Sequence, residues 1–255
     1  MQIDLSEASS RRGGSVPLHG YLRCPAGRGP WPAVVVVHEI FGLDANARAH
    51  TDRLADLGYA ALAVDLYSAG GARRCLVATM RSMLRGSGRA FVDIETARVA
   101  LLERTDVTDR IGIIGFCMGG GFALLTADAE RYGAASVNYG MLPKDLGATA
   151  TSCPVVASYG AQDRALRGAA GRLDAALREH SVDHDVREYD GVGHSFLNQL
   201  PTGPRPMQPL FRVLGVHADP DVVADAWRRI DTFFAMHLRA GGDGHTAVDG
   251  LPAID

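Results

Sequence analysis

Short apolar runs rich in β-branched residues alternate along the chain with longer segments of helical period. Residues 32–38 are typical of a buried strand, and residues 46–57 carry apolar side chains at helical spacing. Gly58 then ends the helix before a second apolar run at 60–64. Strand, helix and strand in this order form the repeating unit of a parallel sheet. The alternation predicts an α/β fold, with a mostly parallel sheet and helices on both faces.

The alternation continues towards the carboxyl end. Further strands are predicted at 110–115, 134–138, 154–159 and 185–189, and further helices at 89–103, 118–130, 168–180 and 227–238. Residues 68–88 mix glycine pairs, arginines and a short apolar stretch, and are interpreted as an excursion over the surface.

No internal repeat and no long linker divides the chain, so residues 1–239 are predicted to form a single domain. Residues 199–220, with five prolines, are predicted to wrap the surface near the site that the preceding strand builds. Residues 240–255 are rich in glycine and lack periodicity, which predicts a loose tail.

Charge and hydropathy exclude several classes of partner. The 26 basic and 29 acidic side chains are interspersed over 255 residues, with no polybasic block to bind nucleic acid. No apolar run approaches the roughly 18 residues that span a bilayer. Residues 1–22 lack the apolar core of a secretory signal. We therefore expect a cytoplasmic monomer or small homo-oligomer without nucleic-acid or membrane partners.

The cysteines and histidines do not indicate a metal site. The four cysteines lie far apart without CxxC spacing: Cys24, Cys75, Cys117 and Cys153. Seven of the nine histidines share no ligand spacing with thiol or acidic partners. Neither a zinc site nor a disulfide framework is predicted, and no cofactor is expected.

One cysteine lies in a motif that carries chemistry. Residues 115–119 read Gly-Phe-Cys-Met-Gly, between a predicted strand and a predicted helix. The motif has the form of the nucleophile elbow of α/β-hydrolases, which would hold the Cys117 thiol at the carboxyl edge of the sheet. The N-terminus of the following helix favours a thiolate there and offers N–H groups to an oxyanion. A buried structural cysteine beside a glycine-rich turn is the alternative interpretation.

Candidate partners follow Cys117 in the chain order that α/β-hydrolases require, acid before histidine. Asp163 comes just after one predicted strand, and His194 follows the next strand on a loop with two glycines. Taken alone, an aspartate in a loop usually caps or turns the chain, and a loop histidine is usually just exposed. Three such residues in order, each after a predicted strand, favour a Cys-His-Asp triad.

These motifs together resemble the dienelactone hydrolase family. The resemblance rests on His-Glu-Ile-Phe-Gly at 38–42, the elbow at 115–120, Gly-Ala-Gln-Asp at 160–163 and Gly-His-Ser-Phe at 193–196. It covers about residues 18–238, and it implies a cytoplasmic, metal-free enzyme that attacks ester or lactone carbonyls through a thiol acyl-enzyme.

The resemblance also implies roles for residues near the elbow. Glu39 matches a glutamate beside the resting thiol, and the backbone N–H groups of Ile40 and Met118 match an oxyanion hole. Because a carboxylate beside a thiol opposes ionisation, Glu39 would keep Cys117 quiet until substrate binds. A polar pair ending a strand is the alternative for His38 and Glu39, and the Gly at position 42 excludes a zinc HExxH motif.

Substrate contacts are less fixed by the motifs. Phe41 and Asn198 are candidates, but Asn198 stands where dienelactone-cleaving relatives place an arginine that holds the substrate carboxylate. A second family arginine should fall within 68–88, where Arg81 is preferred over its competitors, which are Arg73, Arg74 and Arg85. The loss of one arginine predicts a weaker preference for carboxylate substrates than in a dedicated dienelactone hydrolase.

The predicted function is hydrolysis of a small-molecule ester or lactone, with Cys117 attacking, His194 transferring the proton and Asp163 orienting the imidazole. A thioesterase or acyltransferase would use the same triad with a different leaving group or acceptor. A non-catalytic binder of a small carbonyl ligand is a third alternative, although such a protein has no need of an ordered triad.

Overall fold

A computed structural model describes residues 1–203 and 219–239. Within them, eight strands form one sheet in the order β1-β2-β4-β3-β5-β6-β7-β8. The strands are β1 Gln2–Asp4, β2 His19–Arg23, β3 Trp31–Val37, β4 Ala60–Asp65, β5 Val107–Phe116, β6 Ala134–Asn138, β7 Val155–Gly160 and β8 His184–Tyr189. Only the pairs β1/β2 and β2/β4 are antiparallel. From β4 to β8 every neighbouring pair is parallel.

Helices cover both faces of this sheet. They are α1 Ser6–Arg11, α2 Ala45–Asp56, α3 Ala72–Arg85, α4 Arg89–Leu102, α5 Met118–Thr126, α6 Ala169–Glu179 and α7 Pro220–Leu238, with short 3₁₀ turns at Gly147–Thr151 and Arg164–Leu166. The α2 and α7 side chains pack in one core cluster, whereas those of α4, α5 and α6 pack in the other. The prediction of an α/β-hydrolase fold with a mostly parallel sheet is confirmed.

Strand β3 shows why its sequence is apolar throughout. Val35 and Val37 belong to the first core cluster, while Val34 and Val36 belong to the second. All four side chains are fully buried. Successive side chains of a strand point to opposite faces, so a strand with helices on both sides needs apolar residues at every position.

Residues 68–88, interpreted from the sequence as an excursion over the surface, contain the regular 14-residue helix α3. Its glycines stand only at the ends: Gly71 precedes the first turn, and Gly86 closes the helix with a left-handed φ of 66°. Between them, Leu76, Met80 and Met83 pack on the core at helical spacing.

The remaining predictions concern the start of the chain, the surface segment at 199–220 and the tail at 240–255. The strands β1 and β2, which the sequence pattern did not predict, extend the sheet by antiparallel pairing at one edge. The predicted tail at 240–255 and most of the predicted surface segment at 199–220 lie outside the described residues. In the ranges 1–203 and 219–239, no helix has the length and apolar character needed to cross a membrane.

The parallel strands bring one set of side chains together. Glu39 follows β3, Cys117 follows β5, Tyr139 follows β6, Asp163 follows β7 and His194 follows β8. The carboxyl ends of neighbouring parallel strands lie at the same edge of a sheet, which is where ligands bind in open α/β folds. Residues spread over 156 positions of sequence therefore meet at one edge.

Candidate active site

The elbow at Cys117 is tight and strained. Cys117 has a φ of 53°, in the left-handed region that a residue with a Cβ seldom adopts. A Cβ on Gly115 would lie 1.8 Å from the Gly119 carbonyl oxygen, and one on Gly119 would lie 2.1 Å from that of Val37. The Cys117 N–H donates to the Asn138 carbonyl at 3.0 Å. Only glycines allow the backbone to approach this closely, so both elbow glycines are required by geometry.

Asp163 and His194 form a hydrogen-bonded pair next to the elbow. The Nδ1 of His194 lies 2.5 Å from Oδ2 of Asp163, whose Oδ1 accepts from the Ala165 N–H at 3.1 Å. Cys117 lies close enough to His194 to raise the pKa of the imidazole. Since Nδ1 faces the carboxylate, Nε2 is the nitrogen left for the thiol. The structure thus brings all three predicted triad residues together in the order thiol, imidazole, carboxylate.

Electrostatics favour a protonated imidazole in this pair. Burial lowers the pKa of His194, but its hydrogen bond with Asp163 and the proximity of Cys117 outweigh that effect and raise the pKa to about 10. Burial likewise raises the pKa of Asp163, and the hydrogen bond with His194 reverses the shift and lowers it. The imidazole is therefore well placed to accept the proton of the thiol while Asp163 stays ionised.

Glu39 lies beside this pair and is almost completely buried. Its Oε2 accepts from Nδ2 of Asn198 at 3.2 Å, whereas its Oε1 has no hydrogen-bond partner among the described residues. Burial raises the pKa of Glu39, and attraction to His194 with hydrogen bonds from Ser195 and Asn198 opposes that rise. Its contacts therefore couple Glu39 to the imidazole of His194.

Tyr139 is a site residue that the motifs did not identify. It is fully buried with a φ of 39°, and its ring packs edge-on against His194 at 5.3 Å between centroids. Its hydroxyl has no hydrogen-bond partner in the described part of the chain. Burial raises the Tyr139 pKa, and so do the neighbouring charges of Glu39 and Cys117. Tyr139 directly follows the predicted strand 134–138, just as Asp163 and His194 each follow a predicted strand. That position could have identified it from the sequence.

The two candidate oxyanion donors lie in neighbouring segments. Met118 is the first residue of α5 and is buried, and Ile40 lies shortly after the end of β3. The hydroxyl of Tyr67 donates to the Ile40 carbonyl at 3.2 Å and lies 3.7 Å from Sδ of Met118. Tyr67 thereby bridges the two segments that carry the predicted donors.

A cavity of about 440 Å³ opens beside Ile40, between the 38–42 loop and α3. Phe41 and Leu76 supply apolar walls, Arg73 supplies a cation and Asp44 a carboxylate. Arg81, the arginine favoured from the sequence, is exposed and lies outside this lining. Position 81 is eight residues beyond position 73, or about 80° further around the helix, so its side chain leaves from another face.

Asn198, the other predicted substrate contact, is buried and its carboxamide is occupied. Nδ2 donates to Glu39 and, at 3.1 Å, to the Thr202 hydroxyl. Oδ1 lies 3.0 Å from Nε2 of His50. Both amide hydrogens are engaged within the protein in this arrangement.

The remaining cysteines and acidic groups do not form a second centre in the part of the chain that is described. All four cysteines are free thiols. No group of three or more histidine, cysteine, aspartate or glutamate side chains is arranged to hold a metal ion within 1–203 and 219–239.

A nucleophile elbow after β5, with an aspartate after β7 and a histidine after β8, defines an α/β-hydrolase. Similarity to known proteins narrows the class. The dienelactone hydrolase family matches residues 18–238. A carboxymethylenebutenolidase of Rhodococcus opacus is 27% identical over 253 residues, which cover 93% of this chain and 93% of the relative.

Solved structures agree with this match. A dienelactone hydrolase-like promiscuous phosphotriesterase from metagenomic libraries is 25% identical, with a TM-score of 0.77 over 94% of this chain and 98% of its own. A thermophilic esterase of Thermogutta terrifontis, at 17% identity, shares the fold with a TM-score of 0.56 over 84% of this chain and 90% of its own.

The chain belongs to the dienelactone hydrolase family. The resemblance seen in the motifs is confirmed, and so is the prediction of an enzyme that hydrolyses carboxylic ester or lactone bonds.

Proposed function

We propose that this hydrolase works through a thiol acyl-enzyme, with Cys117 as nucleophile, His194 as general base and acid, and Asp163 as the group that orients the imidazole. The observation that carries the proposal is the hydrogen-bonded pair of Asp163 and His194, which lies beside Cys117 at the strained elbow. A structural cysteine would need neither the strain nor the two partners.

The reaction follows from the positions of these groups. The Cys117 thiol gives its proton to His194, and the sulfur attacks the carbonyl carbon of the substrate. The N–H groups of Ile40 and Met118 stabilise the oxyanion. When the carbon–oxygen bond of the ester breaks, His194 returns the proton to the leaving alkoxide. A water molecule, deprotonated by His194, then attacks the thioester, which releases the carboxylic acid and restores the thiol.

The substrate class follows from the cavity beside Ile40. Its walls of Ile40, Phe41 and Leu76 suit an apolar acyl or alkoxy group. Arg73, which shares the lining with the carboxylate of Asp44, can meet an anionic substituent. Because the Asn198 carboxamide is occupied by other side chains, it does not replace the second family arginine. We infer a preference for small esters or lactones that depends less on a free carboxylate than in relatives with two such arginines.

A thioesterase or acyltransferase would use the same residues, and a binder would use the cavity alone. A hydrolysis screen separates these activities. The substrates are p-nitrophenyl esters and unsaturated lactones, each with and without a free carboxylate, together with acyl thioesters.

We expect wild type to hydrolyse oxygen esters or lactones, and iodoacetamide to abolish the activity by labelling Cys117. Cys117→Ala should lose at least about a thousandfold in kcat. Cys75→Ala, which removes a half-buried thiol on α3, is the matched control and should keep full activity. Full activity after stoichiometric labelling of Cys117 would refute the thiol mechanism.

A further inference from the structure

His50 on α2 lies behind Asn198, on the side away from Glu39. Its Nε2 is 3.0 Å from Oδ1 of Asn198, and the Asn198 Nδ2 is 3.2 Å from Oε2 of Glu39. All three side chains are more than nine-tenths buried. A continuous line of hydrogen bonds therefore leads from α2 to the carboxylate beside the catalytic imidazole.

The hydrogens in this line have one consistent arrangement. The carboxylate of Glu39 and the hydroxyl of Thr202 take the two Nδ2 hydrogens, so Oδ1 of Asn198 must accept a hydrogen from His50. Burial lowers the pKa of His50 to about 4, so at neutral pH the ring carries a single hydrogen. That hydrogen is on Nε2, which fixes the tautomer of His50 and, through it, the orientation of the Asn198 carboxamide.

The imidazole of His50 is itself held in place. It stacks on Phe116, the residue before Cys117, at 4.1 Å between centroids and 16° between planes. Asn46, one turn earlier on α2, exchanges two hydrogen bonds with the backbone of Leu200, at 3.2 and 3.1 Å. The segment that carries Asn198 is thereby fastened to the helix that carries His50.

We propose that His50 and Asn198 act as a positioning relay, which holds Glu39 in the orientation that supports the Cys117–His194 pair. The relay rests on the proposed thiol mechanism, because its target is the reactivity of Cys117. In this chain a neutral amide, oriented by a neutral imidazole, binds the carboxylate of Glu39. The negative charge of Glu39 is therefore not cancelled from the Asn198 side, and it attracts the imidazolium of His194.

Several charged or titratable groups surround the relay. His194, Tyr139 and Asp44 face Glu39, and Arg53 faces His50. Without the Asn198 donor, burial would favour protonation of Glu39 more strongly, and His194 would lose a nearby anion. Imidazolium and thiolate would then form less readily. The Asn198 carboxamide reaches the site through Glu39. None of the cavity-lining residues beside Ile40 is His50 or Asn198, so their loss should affect turnover and thiol reactivity rather than substrate affinity.

The test compares two replacements of His50. His50→Phe keeps a flat ring for the stack on Phe116 but removes the donor to Asn198. His50→Gln restores an N–H donor at similar reach. His180→Gln is the control. His180 follows α6 just before β8 begins, away from the carboxyl ends of the strands, where the site lies. For each variant we would measure kcat and KM for an oxygen ester, the pH profile of Cys117 alkylation by iodoacetamide, and the midpoint of thermal unfolding.

The relay predicts a fall of about tenfold in kcat for His50→Phe, with KM within about twofold, from the loss of orientation of one hydrogen bond to a charged group. The acidic limb of the alkylation profile should move up by about one pH unit. His50→Gln should recover most of both effects. Asn198→Leu should resemble His50→Phe, and the double variant should be no worse than either single one.

Wild-type kinetics and alkylation in a folded His50→Phe protein would overturn the relay, as would additive losses in the double variant. A lower unfolding midpoint in both His50→Phe and His50→Gln, with no rescue of kcat by glutamine, would show that His50 only packs. The thiol mechanism is judged separately, because it fails if Cys117→Ala stays active or if the labelled protein keeps full activity.

Discussion

The left-handed backbone conformation of Cys117 is strained, and the contacts around it must stabilise it. The conformation aims the thiol away from the strand, and the first turn of α5 begins at the next residue, Met118. A non-glycine residue at positive φ costs about 1–3 kcal/mol, which the surrounding contacts must offset. The hydrogen bond from the Cys117 N–H to the Asn138 carbonyl is one of those contacts. Strain at this position is consistent with a role in the reaction rather than in packing.

Glu39 is the residue for which sequence and structure give opposite predictions. A carboxylate next to a resting thiol would slow ionisation of that thiol, so removing it would speed alkylation. The structure instead couples Glu39 to His194 by attraction. We expect Glu39→Gln to slow Cys117 alkylation at pH 6–7 by about three- to tenfold, since a charge interaction of this kind is worth about 1 kcal/mol near a protein surface and more when buried.

Second-order rate constants for iodoacetamide, measured with mass spectrometric confirmation of the labelled cysteine, check this prediction. Glu7→Gln, at an exposed glutamate of α1, is the matched control and should leave the rate unchanged. Faster alkylation in Glu39→Gln would show that the carboxylate acts on the thiol directly.

The sequence predicted the helices and strands whose hydrophobic pattern fits only one type of element. Strands such as β3 are apolar at every position because both faces are covered. The three residues of the proposed triad were predicted from three strand ends. Helix α3 was missed because its arginines hide the apolar spacing of Leu76, Met80 and Met83. Tyr139 was missed because a buried tyrosine after a strand resembles an ordinary core residue. The hydrogen bonds of Asn198 join residues up to 159 positions apart, which no local pattern reveals.

The elbow and helix α6 offer a matched pair of glycine substitutions. In Gly115→Ala, the new Cβ would meet the Gly119 backbone at 1.8 Å, so the turn must open. We expect a loss of more than about 3 kcal/mol in the free energy of unfolding, together with loss of activity. Gly171→Ala, in α6, meets nothing within 4 Å and should be neutral or stabilise by about 0.5–1 kcal/mol.

Urea unfolding of both variants, followed by circular dichroism, measures the difference. Equal stabilities for Gly115→Ala and wild type would mean that the elbow can relax around a side chain.

Helix α3 gives a second matched pair of substitutions, at Arg73 and Arg81. Of these two arginines, Arg73 lines the cavity and Arg81 does not. Both arginines are exposed. In Arg73→Gln the cation beside Ile40 and Phe41 is lost, while Arg81→Gln removes a cation outside the cavity lining. We expect Arg73→Gln to lower kcat/KM for a carboxylate-bearing ester by about three- to tenfold relative to its neutral methyl ester. Arg81→Gln should leave that ratio unchanged.

Paired assays on the two esters, repeated at low and high salt, check this prediction. The reverse result, with Arg81→Gln changing the ratio and Arg73→Gln not, would assign the contact to the arginine that the sequence favoured.

Across the whole molecule, the sheet joins two packed layers that share the site. The layer with α2 and α7 carries His50 and the residues that surround it, Phe116 and Trp227. The opposite layer includes α5, which begins at the elbow. Buried polar groups in the first layer are therefore exposed to water only when the domain unfolds. The protonation of His50 therefore affects both the stability of the fold and the arrangement of the site.

The buried imidazole of His50 makes the stability of the fold sensitive to acid. Burial lowers the pKa of His50 to about 4 in the folded protein, against about 6.5 in an unfolded chain. The unfolded state then binds more protons below pH 6.5, so the contribution of His50 is fully present near neutral pH and is lost as pH falls towards 4. For this one group, the loss between pH 7 and pH 4.5 is about 2 kcal/mol. His38, also buried with a lowered pKa, adds to the acid sensitivity in the same direction.

We expect His50→Phe, which cannot titrate, to lose about 2 kcal/mol less than wild type between pH 7 and pH 4.5. The difference should appear even if the variant is less stable at neutral pH, because the prediction concerns the slope and not the absolute free energy. His180→Gln should follow the wild-type curve. Free energies of unfolding from urea titrations at four pH values in this range give the slopes directly. Parallel curves for wild type and His50→Phe would mean that His50 takes up its proton over the same pH range in the folded and unfolded states, so that burial does not lower its pKa.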